Sequence, residues 1–279
     1  MIGKLFAIVT LIASGVLLLI LEAIADIPKE HENAKSIGAF LLITLFTTSW
    51  GKINNPDFEF KTFLRMIFLM PRRLQWSIRI SFSYLIRIKI DNHYMLIRSG
   101  KKKEENLKDK FQPVGGVYKM LNPRIICKEF FLVDDNMEDS PSDDLRKRLK
   151  KPFHIFGLLR WFHNKEGIEA APFREFYEEL IKTSIISADD FSAALFNKVD
   201  MKKTQIEWSK WNKINEYKIF EIYDAHLTPQ QEEILRELKE VGHKDIKFLK
   251  RDDIVQYSGK DTPWGFGVTD HSLHILEWI

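Results

Sequence analysis

Residues 166–179 read EGIEAAPFREFYEE, and the fold turns on them. On a helix entered at Pro172, Glu175, Glu178 and Glu179 stand at i, i+3 and i+4 and share one face. Phe173, Phe176, Tyr177 and Leu180 then fall opposite, where they can pack on a sheet. Three carboxylates on one face repel one another. A hard divalent cation such as Mg²⁺ or Mn²⁺ would offset that repulsion and suits oxygen donors. Lys182, one helical repeat beyond Glu175, could instead neutralise Glu178 or Glu179. The alternative is therefore a surface helix stitched together by Arg174, Lys182 and the glutamates.

Strand patterns lie on both sides of this run. From Phe82, SYLIRIKID and NHYMLIRSG alternate apolar and polar residues across Asp91-Asn92, which predicts a hairpin. FQPVGGVYK follows a charged loop, KKKEENLKDK. Further strands are expected over Phe191–Val199, Gln205–Trp211 and Tyr217–Asp224. Thr228 to Val241 is a helix with Thr228 as cap, Pro229 in its first turn and Gly242 after it. This order of elements predicts a mixed α/β sandwich over residues 81–279.

The N-terminus is of another kind. Leu5 to Ala25 carries one charge, Glu22, and as a helix it would cover roughly 30 Å, the thickness of a bilayer's hydrocarbon layer. A polar turn, Asp26 to Ser36, leads to a shorter apolar run, Ile37 to Trp50. Residues 1–50 thus read as a two-helix transmembrane hairpin. The rivals are a cleaved signal peptide for the first run and a re-entrant helix for the second. Residues 51–80 mix Lys52, Lys61, Arg65, Arg72, Arg73 and Arg79 with apolar side chains and read as an amphipathic linker. The cationic side normally faces the cytosol, so both termini are expected there.

The bulk composition narrows the classes. With 45% hydrophobic and 29% charged residues among 279, the chain can bury a real core. A net charge of +3 gives no case for a DNA or RNA polymer as partner. The single cysteine, Cys127, rules out an intramolecular disulfide. His271 and His274, the aspartates around 134–144 and Lys101–Lys103 carry no pattern that specifies a ligand.

The run from Glu166 resembles the Nudix box, G-x5-E-x7-R-E-u-x-E-E-x-G-u, with u aliphatic. Glu166, Arg174, Glu175, Glu178 and Glu179 match its central positions. The resemblance implies that Glu175, Glu178 and Glu179 hold divalent metal and that Glu166 pairs with Arg174 to brace the loop. It also makes Gly115-Gly116 the glycine pair opening the box, at a nucleotide. The departures are large: 49 residues separate Gly116 from Glu166, an insertion of about residues 120–163 lies within the motif, and Ile181 replaces the closing glycine.

Together with the two apolar runs, QPVGGVYK, the insertion ending in DDLRKRL, and WFHNKEGIEAAPFREFYEELI are similar to the SMODS-associated Nudix family in its two-span form. The resemblance implies a Nudix-like mixed sheet sandwiched by helices. It also implies an effector of anti-phage CBASS operons: a cyclic oligonucleotide second messenger binds the domain, copies associate, and the spans disrupt the lipid bilayer. The alternative is a membrane-anchored, metal-dependent Nudix phosphohydrolase acting on nucleoside diphosphate derivatives.

Overall fold

The computed structural model describes residues 77–99, 109–134, 142–151, 154–169, 172–192, 194–210 and 212–277. Both apolar runs and the linker up to residue 76 lie outside them. Among the described residues no helix is long and apolar enough to cross a membrane.

Strand β1 (Ile78–Arg87) is the axis of the larger, seven-stranded sheet. Its sequence, IRISFSYLIR, has almost no exposed position, as a strand covered on both faces requires. Strands β2 (Lys89–Ile90), β3 (His93–Arg98) and β4 (Lys110–Gln112) follow, then β5 (Val114–Val117) and β6 (Lys119–Met120). Strands β7 (Leu132–Asp134), β8 (Arg146–Leu149), β9 (Ile168–Glu169), β10 (Leu195–Lys203), β11 (Glu207–Ser209) and β12 (Ile214–His226) come next. Last are β13 (Ile246–Lys250) and β14 (Gly267–Val268).

β1 runs parallel to β12 along its whole length. On its other edge it meets β8 over Ile78–Ser81 and β5 over Ser83–Ile86, both antiparallel. The strand order is β10-β12-β1-β8-β7, with β11 also on β12. The smaller sheet runs β13-β3-β4-β14, with β2 on β3. β6 and β9 form a separate pair.

The hairpin expected from Phe82 is shorter than its pattern suggests. Asp91 and Asn92 take φ of 45° and 62°, which suits a two-residue turn, but they join only β2 to β3. The preceding residues of the alternating run belong to β1 in the other sheet. The chain changes sheets at Ile88, which is buried. Residues 78–80, assigned to the linker from sequence, pair within the large sheet.

Among the described residues, two apolar clusters bear on the site. One joins Ile86, Val114, Phe176, Leu180 and Ile181 with Met95, Ile97 and Leu235. The other joins Leu85, Phe220 and Ile222 with Tyr94, Leu96, Phe111 and Ile254. Neighbouring residues of β1 and β3 thus serve opposite clusters, following the strand period of two.

The insertion is part of the architecture. Helix α1 (Pro123–Phe130) leads to the β7–β8 hairpin, and β8 lies directly against β1. Lys147 in β8 is fully buried; its ammonium pairs with Asp134 and donates to the Ser142 carbonyl at 2.6 Å. By compactness the chain divides into two units, residues 1–74 with 153–164, and residues 75–152 with 165–279. The described element of the first is helix α2 (Ile155–Asn164), whose buried residues Ile155, Leu158, Leu159 and Phe162 follow i, i+3, i+4, i+7.

In the second unit come α3 (Pro172–Phe176), α4 (Ala188–Phe191), α5 (Pro229–Val241), α6 (Arg251–Tyr257) and a 3₁₀ turn (Asp270–Ile275). α5 is bounded as expected. The Thr228 hydroxyl accepts from the Gln231 amide at 3.3 Å, the Gln231 side chain accepts from the Thr228 amide at 2.9 Å, and Gly242 (φ 78°) follows.

Candidate functional site

The site begins with backbone register. On β1, Tyr84 is opposite Gly116 of β5 on one side and Glu221 of β12 on the other. Paired residues point to the same face, so Gly116, Tyr84 and Glu221 form one row across three strands. Above the Gly116 end lies α3.

The carboxylate run is not a uniform α-helix. After Phe176 it widens into a π-turn over Tyr177–Ile181, closed by the Lys182 amide donating to the Tyr177 carbonyl at 2.8 Å. Leu180 and Ile181 both turn into the apolar cluster. Ile181, standing where the box pattern has glycine, is therefore a core residue. Of the four side chains expected on the apolar face, Phe176 and Leu180 are buried, whereas Phe173 and Tyr177 are exposed.

Glu175 and Glu179 lie against the glycine strand. The Gly115 amide donates to Glu179 Oε2 at 3.0 Å. The side chain of Glu175 occupies the space a Cβ on Gly116 would need, and a Cβ on Gly115 would strike the Tyr84 carbonyl. This close approach is the structural reason for two glycines. Burial pushes the Glu179 carboxyl up to about 8; the Gly115 amide opposes the shift, and the charges of Glu175 and Glu178 add to it. Burial also raises Glu175, against the pull of Arg174.

Arg174 ties the cluster together. Its Nη1 lies 2.6 Å from Glu175 Oε1 and 3.6 Å from Glu178 Oε2, and its Nε lies 3.7 Å from Glu169 Oε1. Its Nη2 donates to the Val117 carbonyl at 3.3 Å and to the Tyr84 hydroxyl at 3.5 Å. The partner expected from the box spacing, Glu166, is exposed and does not pair with it; Glu169 takes that place. Lys182 is exposed and forms no ion pair with the three glutamates; of the stitching expected along this helix, the part made by Arg174 is present. Among the described residues no three His, Cys, Asp or Glu side chains converge closely enough to hold a metal ion. In this arrangement Arg174 supplies compensating charge to Glu175 and Glu178, and Glu179 accepts from the Gly115 amide.

At the other end of the row Glu221 is 1% exposed. Its Oε2 accepts from the hydroxyls of Tyr118 and, at 3.2 Å, Tyr223. Its Oε1 accepts from Lys198 Nζ at 2.7 Å and lies 2.9 Å from Lys165 Nζ. Burial alone would raise this carboxyl, but the bonds from Lys198, Tyr118 and Lys165 hold it below the usual range. The Tyr84 ring meets Tyr118 edge-on at 5.0 Å and Tyr223 at 6.3 Å, joining the two ends. Sequence reasoning missed this group, as it missed Glu169. Its signal was there: a lone carboxylate inside IFEIY, in a strand otherwise apolar enough to be buried.

A mixed sheet whose glycine pair is overlaid by an REFYEE helix, with arginine and glutamates interlocked, defines a Nudix-type domain. The chain belongs to the SMODS-associated Nudix family, whose domain model it matches over residues 77–276. No curated protein matches it.

Proposed function

We propose that the domain is a nucleotide sensor: it binds a cyclic oligonucleotide second messenger, and binding makes copies associate so that their N-terminal apolar segments disrupt the bacterial inner membrane. Family membership supports a place in CBASS-type anti-phage defence. The observation that carries a sensing role is the internal engagement of the box. Arg174 neutralises Glu175 and Glu178, and the Gly115 amide binds Glu179. Carboxylates so tied brace the sheet and leave the rest of the face to bind a ligand. Association of domains would raise the effective concentration of the attached segments without any new membrane contact. The test is dye release from liposomes carrying the full chain. Release on adding a cyclic oligonucleotide is expected; no ligand-dependent release sinks the proposal.

A metal-dependent phosphohydrolase is the second reading, and Glu179 favours it. A carboxyl pushed up by burial and two neighbouring acids would be relieved by a divalent cation. Arg174 would have to release Glu175 and Glu178 first. Phosphate release from nucleoside diphosphate derivatives, dependent on Mn²⁺ and lost in Glu179→Gln, would establish it; equal rates in both proteins would end it.

A further inference from the structure

We propose that the end of the large sheet at which the chain enters the domain is a lipid-facing surface, a basic and aromatic rim that rests on anionic phospholipid headgroups. The inference rests on the membrane reading above and adds what holds the domain at the bilayer.

Strand register builds the rim. The first residue of β1, Ile78, is paired with Asn215 of β12 and with Leu149 of β8; Asn215 is paired with Trp208 of β11, and Leu149 with Leu132 of β7. One row therefore crosses β11, β12, β1, β8 and β7, about 19 Å at the usual strand spacing. The segments just beyond this row all lie at the same end of the sheet. Lys210 and Lys213 are in the turn between β11 and β12, Lys150 and Lys151 follow β8, and Phe131 precedes β7; all are exposed. The Lys150 amide donates to the Phe131 carbonyl at 3.0 Å, and Lys151 Nζ lies 3.5 Å above the Phe131 ring. Trp208, at the outer end of the row, is 43% exposed.

Charge and ring chemistry name the occupant. Glu216, next to the row on β12, is committed to Arg79 at 2.9 Å and to Lys218 at 2.8 Å. The exposed acids Glu129 and Glu207 stand against Lys128, Lys150, Lys151, Lys210 and Lys213, so this end is cationic. Lysines gathered near an anionic leaflet are drawn to it. Tryptophan flanked by lysine suits the headgroup level, where the ring enters the interface and the ammonium stays in water. Position favours lipid over a protein partner. Residue 77 enters the domain in the middle of this row, and the apolar runs 5–25 and 37–50 precede it in the chain. At the far end of β1 the charges are matched instead: Arg87 donates to Asp224 at 2.7 Å, and Lys239 to Asp91 at 2.8 Å.

The test is spin-label accessibility on the full chain in vesicles, with the label at Lys210→Cys or at Asn92→Cys in a Cys127→Ser background. The vesicles are phosphatidylcholine with or without phosphatidylglycerol, and a water-soluble nickel complex is present on both sides. With phosphatidylglycerol, nickel accessibility at position 210 is expected to fall severalfold and oxygen accessibility to rise, while position 92 stays open to nickel in both. Lys150→Gln, Lys151→Gln and Lys213→Gln together should abolish the fall at position 210, and equal melting temperatures show that the variant is folded. Raised salt, which screens the same charges without mutation, should act likewise. A chain that alkaline carbonate strips from the vesicles refutes the membrane reading and this assignment with it. An inserted chain whose position 210 is as open to nickel as position 92 overturns the assignment alone. So does shielding that persists in the folded triple variant, or that appears without phosphatidylglycerol and grows with the protein-to-lipid ratio, which marks a second copy as the occupant.

Discussion

Gly116 and Glu175 compete for one volume: the glutamate's carboxyl group stands where a methyl on the glycine would be. Gly116→Ala therefore displaces a flexible side chain and dismantles the Arg174–Glu175 contact, at a cost of about 1–2 kcal/mol. Gly115→Ala meets the rigid Tyr84 carbonyl and is expected to cost more, about 2–3 kcal/mol. Denaturation midpoints of the two variants check the order, and a larger loss in Gly116→Ala would contradict it.

Glu179 makes stability depend on pH. Its folded value, about 8, lies above the ordinary carboxylate value, so between the two the folded chain keeps a proton that the unfolded chain has released. Its contribution is full at low pH and is lost as pH rises through that window. Glu179→Gln should remove the slope and gain roughly 1–3 kcal/mol over the parent above about pH 8, with little difference near pH 5. Parallel melting profiles for the two proteins would refute this.

Lys147 and Asp134 form a buried pair that joins β8 to β7. Removing the carboxylate alone strands a buried ammonium group. Asp134→Ala is expected to cost about 3–5 kcal/mol. Lys147→Met combined with Asp134→Leu should recover most of that loss, because neither charge then needs compensation. A double variant no more stable than Asp134→Ala would show that the pair is indispensable to the hairpin.

His274 stacks on Phe220 with centroids 4.5 Å apart. Burial lowers its pKa, Lys202 and Lys218 add to the effect, and Asp270 opposes it. The unfolded chain then takes up a proton before the folded one, so stability falls as pH drops below about 6.5. His274→Phe keeps the stack and should flatten this part of the melting curve. An unchanged acid slope would argue against a role for this ring.

What the sequence made legible was local. The Asp91-Asn92 turn and the ends of α5 follow from turn chemistry and capping, and the approach of GG to the carboxylate helix from the resemblance to the Nudix box. Three features were not legible. The π-turn at Tyr177–Ile181 arises because Leu180 and Ile181 both enter the core, a tertiary demand that overrides local helix geometry. Glu169 replaces Glu166 beside Arg174 because β9 pairs with β6 and so fixes the glutamate's position. The row Gly116–Tyr84–Glu221 depends on the register of strands far apart in the chain, and alternation within each strand does not specify register. The insertion was illegible for the same reason: nothing in RKRL announces a strand until β1 is there to pair with it.

The place where the polypeptide enters this domain has a mechanical meaning. Residue 77 leads straight into β1, which is gripped by β12 on one side and by β8 and β5 on the other. A pull at residue 77 directed along the strand would load these ladders in shear, with many bonds sharing the force at once; a pull across the strand would unzip them bond by bond. Tension applied at residue 77 along β1 would therefore be carried down the axis of the sheet, past Tyr84 and the glycine pair.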